Sequence, residues 1–66
     1  MKQVEQVEQV EIECEVRGET ERALKIFDGK IEVWIPKSQI TDECEEDGKL
    51  TSIFIPVWLA TEKGLV

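Results

Sequence analysis

A chain of 66 residues is long enough for one small domain, and its net charge of −7 disfavours binding to the phosphate backbone of nucleic acid. Its composition, 41% hydrophobic and 35% charged, indicates a packed core with a solvated surface and excludes a disordered chain. No apolar run reaches the roughly 18 residues of a transmembrane helix. The charged start does not fit a signal peptide, so we expect a cytoplasmic protein with no membrane association.

The first predicted strand follows a QVE repeat that begins at residue 3. From Val10 to Val16 the even positions are apolar and the odd positions are acidic, which is typical of a half-buried strand. The preceding triplets fit neither a strand nor a long helical stripe. We therefore interpret residues 1–8 as a frayed lead-in or an edge-strand extension, and residues 9–66 as a single small β domain. A turn is expected at residues 17–20, around Gly18.

The stretch ALKIFDGKIEVWIP, residues 23–36, predicts a hairpin with a two-residue turn at Asp28-Gly29. Closing the hairpin there pairs Ile26 with Ile31, Leu24 with Val33 and Lys25 with Glu32. The five aliphatic side chains of these two strands then share one face, and the Lys25–Glu32 pair lies on the other.

The second face of this hairpin also carries Phe27 and Trp34. Two arrangements are open. Either the C-terminal helix covers this face, so that Trp34 and Trp58 form a second core, or the face stays exposed as an aromatic binding surface.

Further along the chain, Pro36 is expected to end a strand, residues 37–39 to form a turn or a single 3₁₀ turn, and Ile40 to return to the core. Residues 42–47 are interpreted as an acidic loop or hairpin arm that turns at Asp47-Gly48 and leads into a strand over residues 50–55. Residues 57–63 predict a short helix, with Gly64 as its left-handed C-cap. The pattern therefore predicts a mainly β fold: a small antiparallel sheet or SH3-like β-barrel of about five short strands, with one short C-terminal helix. An open meander completed by dimerisation is the alternative.

The residues offer little catalytic chemistry. The chain has no histidine and no tyrosine, so its two cysteines and its hydroxyl groups cannot be paired with an imidazole base. Cys14 is expected in the core and Cys44 in an acidic setting that disfavours its thiolate, both in the reduced form. Two distant cysteines do not make a zinc site, and the acidic run at 42–48 departs from the EF-hand pattern. We therefore expect no enzyme activity, no metal and no cofactor.

Two stretches carry a family resemblance. EVWIPKSQI (residues 32–40), preceded by ALKIFDGK (residues 23–30), and IPVWLATEKGL (residues 55–65) resemble segments of small uncharacterised proteins of phages and prokaryotes. The resemblance implies a compact intracellular accessory protein, with residues 34–39 in the shared segment. It implies no catalytic residues and no substrate.

These observations favour a non-enzymatic protein–protein interaction or accessory module, with a homodimer as one version and a partner with a basic surface as another. The candidate partner-binding residues are Phe27, Trp34, Lys25, Glu32, Lys37, Gln39, Glu11, Glu13 and Glu15. One alternative is an acidic, phage-type inhibitor or accessory of a nucleic-acid-processing effector. A further alternative is a small barrel that binds single-stranded nucleic acid through Phe27, Trp34, Lys25 and Lys37.

Overall fold

Two antiparallel sheets of three strands each make up most of the computed structural model, which describes residues 8–66. Sheet A has the strand order β1-β6-β5, and sheet B has the order β2-β3-β4. A 3₁₀ turn follows β4, and helix α1 follows β6. The elements are β1 Gln9–Glu13, β2 Glu15–Glu19, β3 Ala23–Phe27, β4 Glu32–Pro36, the 3₁₀ turn Lys37–Gln39, β5 Asp42–Glu46, β6 Lys49–Pro56 and α1 Val57–Glu62. The predicted mainly β fold with antiparallel pairing and a short C-terminal helix is confirmed.

The N-terminal strand is the first place where the structure departs from the prediction. A single strand over residues 10–16 is wrong, because the chain leaves sheet A at Cys14 and enters sheet B as β2. β1 pairs with β6, whereas β2 pairs with β3, which raises the number of strands in the described residues to six. Of the lead-in expected at residues 1–8, residues 1–7 lie outside the described part of the chain. The carbonyl oxygen of Glu8 accepts a hydrogen bond from the Val57 N–H at 2.9 Å.

The first turn also lies elsewhere than expected. Gly18 belongs to β2, next to a register shift, and pairs with Lys25 of β3. The chain instead reverses at residues 20–22, where the Thr20 hydroxyl oxygen accepts the N–H groups of Arg22 and Ala23 at 3.3 and 3.0 Å. A threonine side chain can cap a turn in this way, which makes it the turn residue here.

The β3–β4 hairpin is confirmed, but its predicted register is wrong by two residues. Leu24 pairs with Ile35 and Lys25 with Trp34. The cause is the Asp28 carboxylate, which accepts the N–H groups of Lys30 and Ile31 at 2.8 and 2.9 Å and so opens a four-residue turn. A shift of two residues keeps every side chain on its predicted face.

The second Asp-Gly pair forms the tight turn. Asp47 and Gly48 have φ angles of 53° and 77°, and Glu46 pairs with Lys49 across them. The acidic segment is therefore a hairpin arm, and every residue of β5 is exposed.

The core lies between the two sheets. Its largest fully buried side chains are Ile26, Ile35, Ile53 and Ile55, and Leu24, Ile12, Cys14, Leu59 and Ala60 complete it. Val33 and Ile40 pack against this cluster as predicted, whereas Ile31 lies at its edge and is exposed.

Helix α1 packs against β6 and β1 through Leu59 and Ala60. Gly64 follows it with a φ of 80°, which confirms the left-handed C-cap. Trp58, one member of the possible second core, is 53% exposed, because so short a helix can bury only one stripe of side chains. Trp34 is 42% exposed, so the arrangement with a second tryptophan core is not the one adopted. Within residues 8–66, the structure contains no helix with the length and hydropathy needed to cross a membrane.

Candidate interaction surfaces

The outer face of sheet B presents an aromatic surface, which we call the aromatic face and define by Arg17, Gly18, Lys25, Phe27 and Trp34. Gly18, Lys25 and Trp34 form one row across β2, β3 and β4. A Cβ atom at Gly18 would lie 3.7 Å from the Trp34 ring, so the ring lies beside the bare backbone of this glycine. Packing of an aromatic ring over a strand glycine is one structural reason for Trp34 to be here. The rest of the ring is open to a partner.

Two cations flank the aromatic rings. The Lys25 Nζ lies 5.7 Å from the centroid of the Trp34 ring, and the Arg17 guanidinium carbon lies 4.6 Å from that of Phe27. Such cation–π contacts contribute about 0.5–1 kcal/mol at exposed sites. They hold the two rings in defined positions on the surface.

Each cation near this face is also ion-paired. Lys25 Nζ lies 3.4 Å from Glu32, which keeps the predicted pair as a diagonal contact, and Arg17 lies 3.4 Å from Glu15. Lys37 pairs with Glu19. Exposed ion pairs add little stability, about 0–1 kcal/mol, but they leave the face close to neutral.

The charge of the chain is strongly segregated. Residues 15–39, which form sheet B, carry five acidic and five basic side chains. Residues 8–14 and 40–66, which form sheet A and the helix, carry nine acidic and two basic side chains. The full net charge of −7 is therefore on the sheet A half of the molecule.

A groove of about 1510 Å³ separates β2 from the β5–β6 hairpin. Its apolar lining comes from Cys14, Val16, Leu24, Phe27, Ile40 and Leu50. Eight acidic residues line it, namely Glu11, Glu13, Glu15, Glu19, Asp28, Glu43, Glu45 and Glu46. Lys37 and Lys49 are the lysines of the lining, and Lys37 is held by Glu19.

The structure distributes the predicted partner-binding residues over two surfaces. Phe27, Trp34, Lys25 and Glu32 come together on sheet B, whereas Glu11, Glu13, Glu15 and Lys37 line the groove, which Phe27 also borders. Gln39 lies half-buried in the 3₁₀ turn and joins neither set. The carboxylate of Glu11 accepts a 2.6 Å hydrogen bond from the hydroxyl of Ser52, a buried polar side chain.

Sequence reasoning missed four contributors to these surfaces. The sequence predicts a turn at Arg17 and Gly18, and the packing of Trp34 beside Gly18 becomes visible only when the pairing of β2, β3 and β4 places both residues in one row. The apolar alternation predicts inward-facing side chains at Val16 and Leu50. It does not reveal that the chain leaves sheet A before Val16, which places both side chains at the groove.

The two thiols lie in different environments. Cys14 is buried, and desolvation together with the negative charge of Asp28 raises the pKa of its thiol to about 11. Cys44 is exposed on β5. In the part of the chain that the structure covers, no group of three or more histidine, cysteine or acidic side chains is arranged to hold a metal ion.

Comparison with models of known protein families, with curated proteins and with solved structures gives no match to this chain.

Proposed function

We propose that this chain is a non-enzymatic interaction module that pairs with a second copy of itself through the aromatic face. The observation that carries the proposal is Trp34, which is 42% exposed and held in place by Gly18 and Lys25. Tryptophan and arginine are the residues most enriched among those that dominate binding energy in protein interfaces. The free thiols suit a reducing compartment, which for this proposal is the cytoplasm.

The charge distribution supports a second copy as the partner. Two copies that approach through their sheet A halves bring like charge together, whereas the sheet B halves are neutral. On the aromatic face the pairs Arg17–Glu15 and Lys25–Glu32 place both signs side by side. A two-fold axis through this face would let each cation meet a carboxylate of the other copy.

Sedimentation velocity over a concentration series tests this proposal. The wild-type chain should shift from monomer to dimer as its concentration rises. Trp34→Ala should weaken the dimer by about thirtyfold, the factor that corresponds to a loss of about 2 kcal/mol for an interface hot spot. Trp58→Ala is the matched control, because it removes another exposed tryptophan from a different surface.

Two results would refute the proposal. A wild-type chain that stays monomeric at millimolar concentration rules out self-association. Equal weakening by Trp34→Ala and Trp58→Ala rules out the aromatic face as the specific contact.

A second candidate function is an acidic accessory of a nucleic-acid-processing effector of the phage type, and the exposed β5–β6 hairpin favours it. Its β5 and turn carry five carboxylates on a strand that rises about 3.3 Å per residue. These carboxylates present negative charge along an extended segment, as the phosphates of a nucleic-acid strand do, so a basic channel could accept the hairpin in place of DNA. The test is inhibition of a panel of nucleases at low salt by the wild type, and loss of that inhibition in the double variant Glu43→Gln, Glu45→Gln.

Binding of single-stranded nucleic acid by an SH3-like barrel is the further alternative, and one titration distinguishes it from the two functions above. In the Trp58→Phe variant Trp34 is the remaining tryptophan, and its fluorescence reports on the aromatic face. Quenching by an oligonucleotide at low salt would support that function in place of self-association.

A further inference from the structure

We propose that the groove between β2 and the β5–β6 hairpin binds an extended, basic segment of a partner protein as an added strand. This site borders the aromatic face at Phe27 but is centred elsewhere, because its lining comes mainly from β2 and sheet A and does not include Lys25 or Trp34. A strand bound in this groove would come from a different protein, whereas self-association through the aromatic face requires only a second copy of this chain.

Backbone groups along the groove favour a strand as the occupant. β1 covers β6 only over residues 52–56, whereas β5 pairs with β6 from Lys49 onward. The first part of β6 therefore extends past the end of β1, where the Thr51 carbonyl accepts the Cys14 N–H at 3.0 Å. β2 is itself an edge strand of sheet B. An incoming strand can take the place that β1 leaves and pair with such an edge.

The apolar lining sets the second requirement on the occupant. Val16 continues the apolar face of the N-terminal segment, yet it is 41% exposed, because β2 has left sheet A and the hairpin does not close over it. Leu50 faces the same groove and is half-buried. A strand bound here would cover these two side chains with apolar residues of its own.

Charge sets the third requirement. The eight carboxylates of the lining outnumber its two lysines, and Lys37 is neutralised by Glu19. A negative groove of this kind attracts cationic segments and repels acidic ones. Because side chains of a strand alternate, the matching partner segment carries lysine or arginine at every second position and apolar residues between them.

Fluorescence anisotropy with a labelled nine-residue peptide that alternates lysine and valine tests the proposal. The peptide should bind at low salt, and raising the salt to 0.5 M should weaken it by at least tenfold because the charges are screened. A peptide of the same sequence with N-methylated backbone amides should bind at least tenfold more weakly, since it cannot pair with a strand edge. A glutamate–valine peptide should not bind.

Variants of the chain localise the site. Val16→Thr and Glu45→Gln should each weaken peptide binding at least threefold, whereas Glu62→Gln, which removes an equivalent charge from the helix, should not. Far-UV circular dichroism of each variant checks that the fold is kept. Trp34→Ala should leave peptide binding unchanged, which separates this proposal from the one on the aromatic face.

Three results would overturn the groove as a strand site. The first is no binding of the lysine–valine peptide at low salt. The second is equal binding of the N-methylated peptide, which would mean adsorption by charge alone. The third is equal weakening by Glu62→Gln and Glu45→Gln, which would place the contact on the surface in general.

Discussion

Two glycine-to-alanine substitutions should change stability with opposite signs. Gly48 has a φ of 77° in the tight turn, a left-handed conformation that costs a residue with a Cβ about 1–2 kcal/mol. The alanine recovers about 0.4–1 kcal/mol by restricting the unfolded chain. Gly48→Ala should therefore lower the free energy of unfolding by about 1 kcal/mol.

Gly18 presents the opposite case. It lies in β2 and is not among the glycines with a positive φ. An added Cβ would lie 3.5 Å from the Lys25 Cβ and 3.7 Å from the Trp34 ring, which are ordinary van der Waals contacts. Glycine in a strand interior is destabilising by about 0.5–1 kcal/mol relative to alanine, so Gly18→Ala should raise the free energy of unfolding by that amount.

Urea denaturation followed by far-UV circular dichroism measures both changes as shifts of the midpoint at constant slope. In a thermal scan, a change of 1 kcal/mol should move the melting temperature by about 4–8 °C for a domain of this size. A clear loss of stability in Gly18→Ala would refute the reasoning, because it would mean that Trp34 packs more tightly on the glycine than these distances allow.

Three further measurements test other parts of the structure. Trp34→Ala should lower the free energy of unfolding by about 1–2 kcal/mol, less than the 2–5 kcal/mol expected for the fully buried Ile35→Ala; equal losses would contradict an exposed aromatic face. Two backbone N–H groups on its carboxylate lower the pKa of Asp28 below 3.8, so its stabilising effect is complete above that pH and is lost as the pH falls through the lowered pKa. The stability advantage of the wild type over Asp28→Asn should therefore shrink in acid, and a constant difference would exclude this role. Iodoacetamide at pH 8 should modify Cys44 and spare Cys14, whose raised pKa leaves about a thousandth of it as thiolate; mass spectrometry that finds equal rates would contradict the burial of Cys14.

The two Asp-Gly pairs show how far the sequence predicts this fold. The sequence predicts a turn at each pair and a two-residue turn at Asp28-Gly29, but it is Asp47-Gly48 that forms the two-residue turn. Asp28 instead uses its carboxylate to accept two N–H groups, which the dipeptide alone does not reveal. The strands β3 and β4, their faces and the C-cap at Gly64 follow from local alternation and turn chemistry, so they were predictable.

The two interaction surfaces were less predictable, because they depend on where strands change sheets. The change at Cys14 exposes Val16 and creates the groove, yet the apolar alternation continues through it without interruption. The candidate residues around Trp34 were predicted from the hairpin. An error of two residues in its register leaves each side chain on the same face. The glutamates are grouped into one groove because β2 lies across from the β5–β6 hairpin. These elements are far apart in the chain, so a local sequence pattern does not predict that they face each other.

The separation of charge between the two sheets gives the molecule a permanent electric dipole. In the field of a positively charged protein, the chain would rotate during diffusion so that its negative end leads, before any contact forms. Orientation of this kind raises the fraction of encounters that are productive, and added salt would reduce the association rate much more than the dissociation rate. The aromatic face of sheet B would then point away from that protein and stay accessible to a second partner.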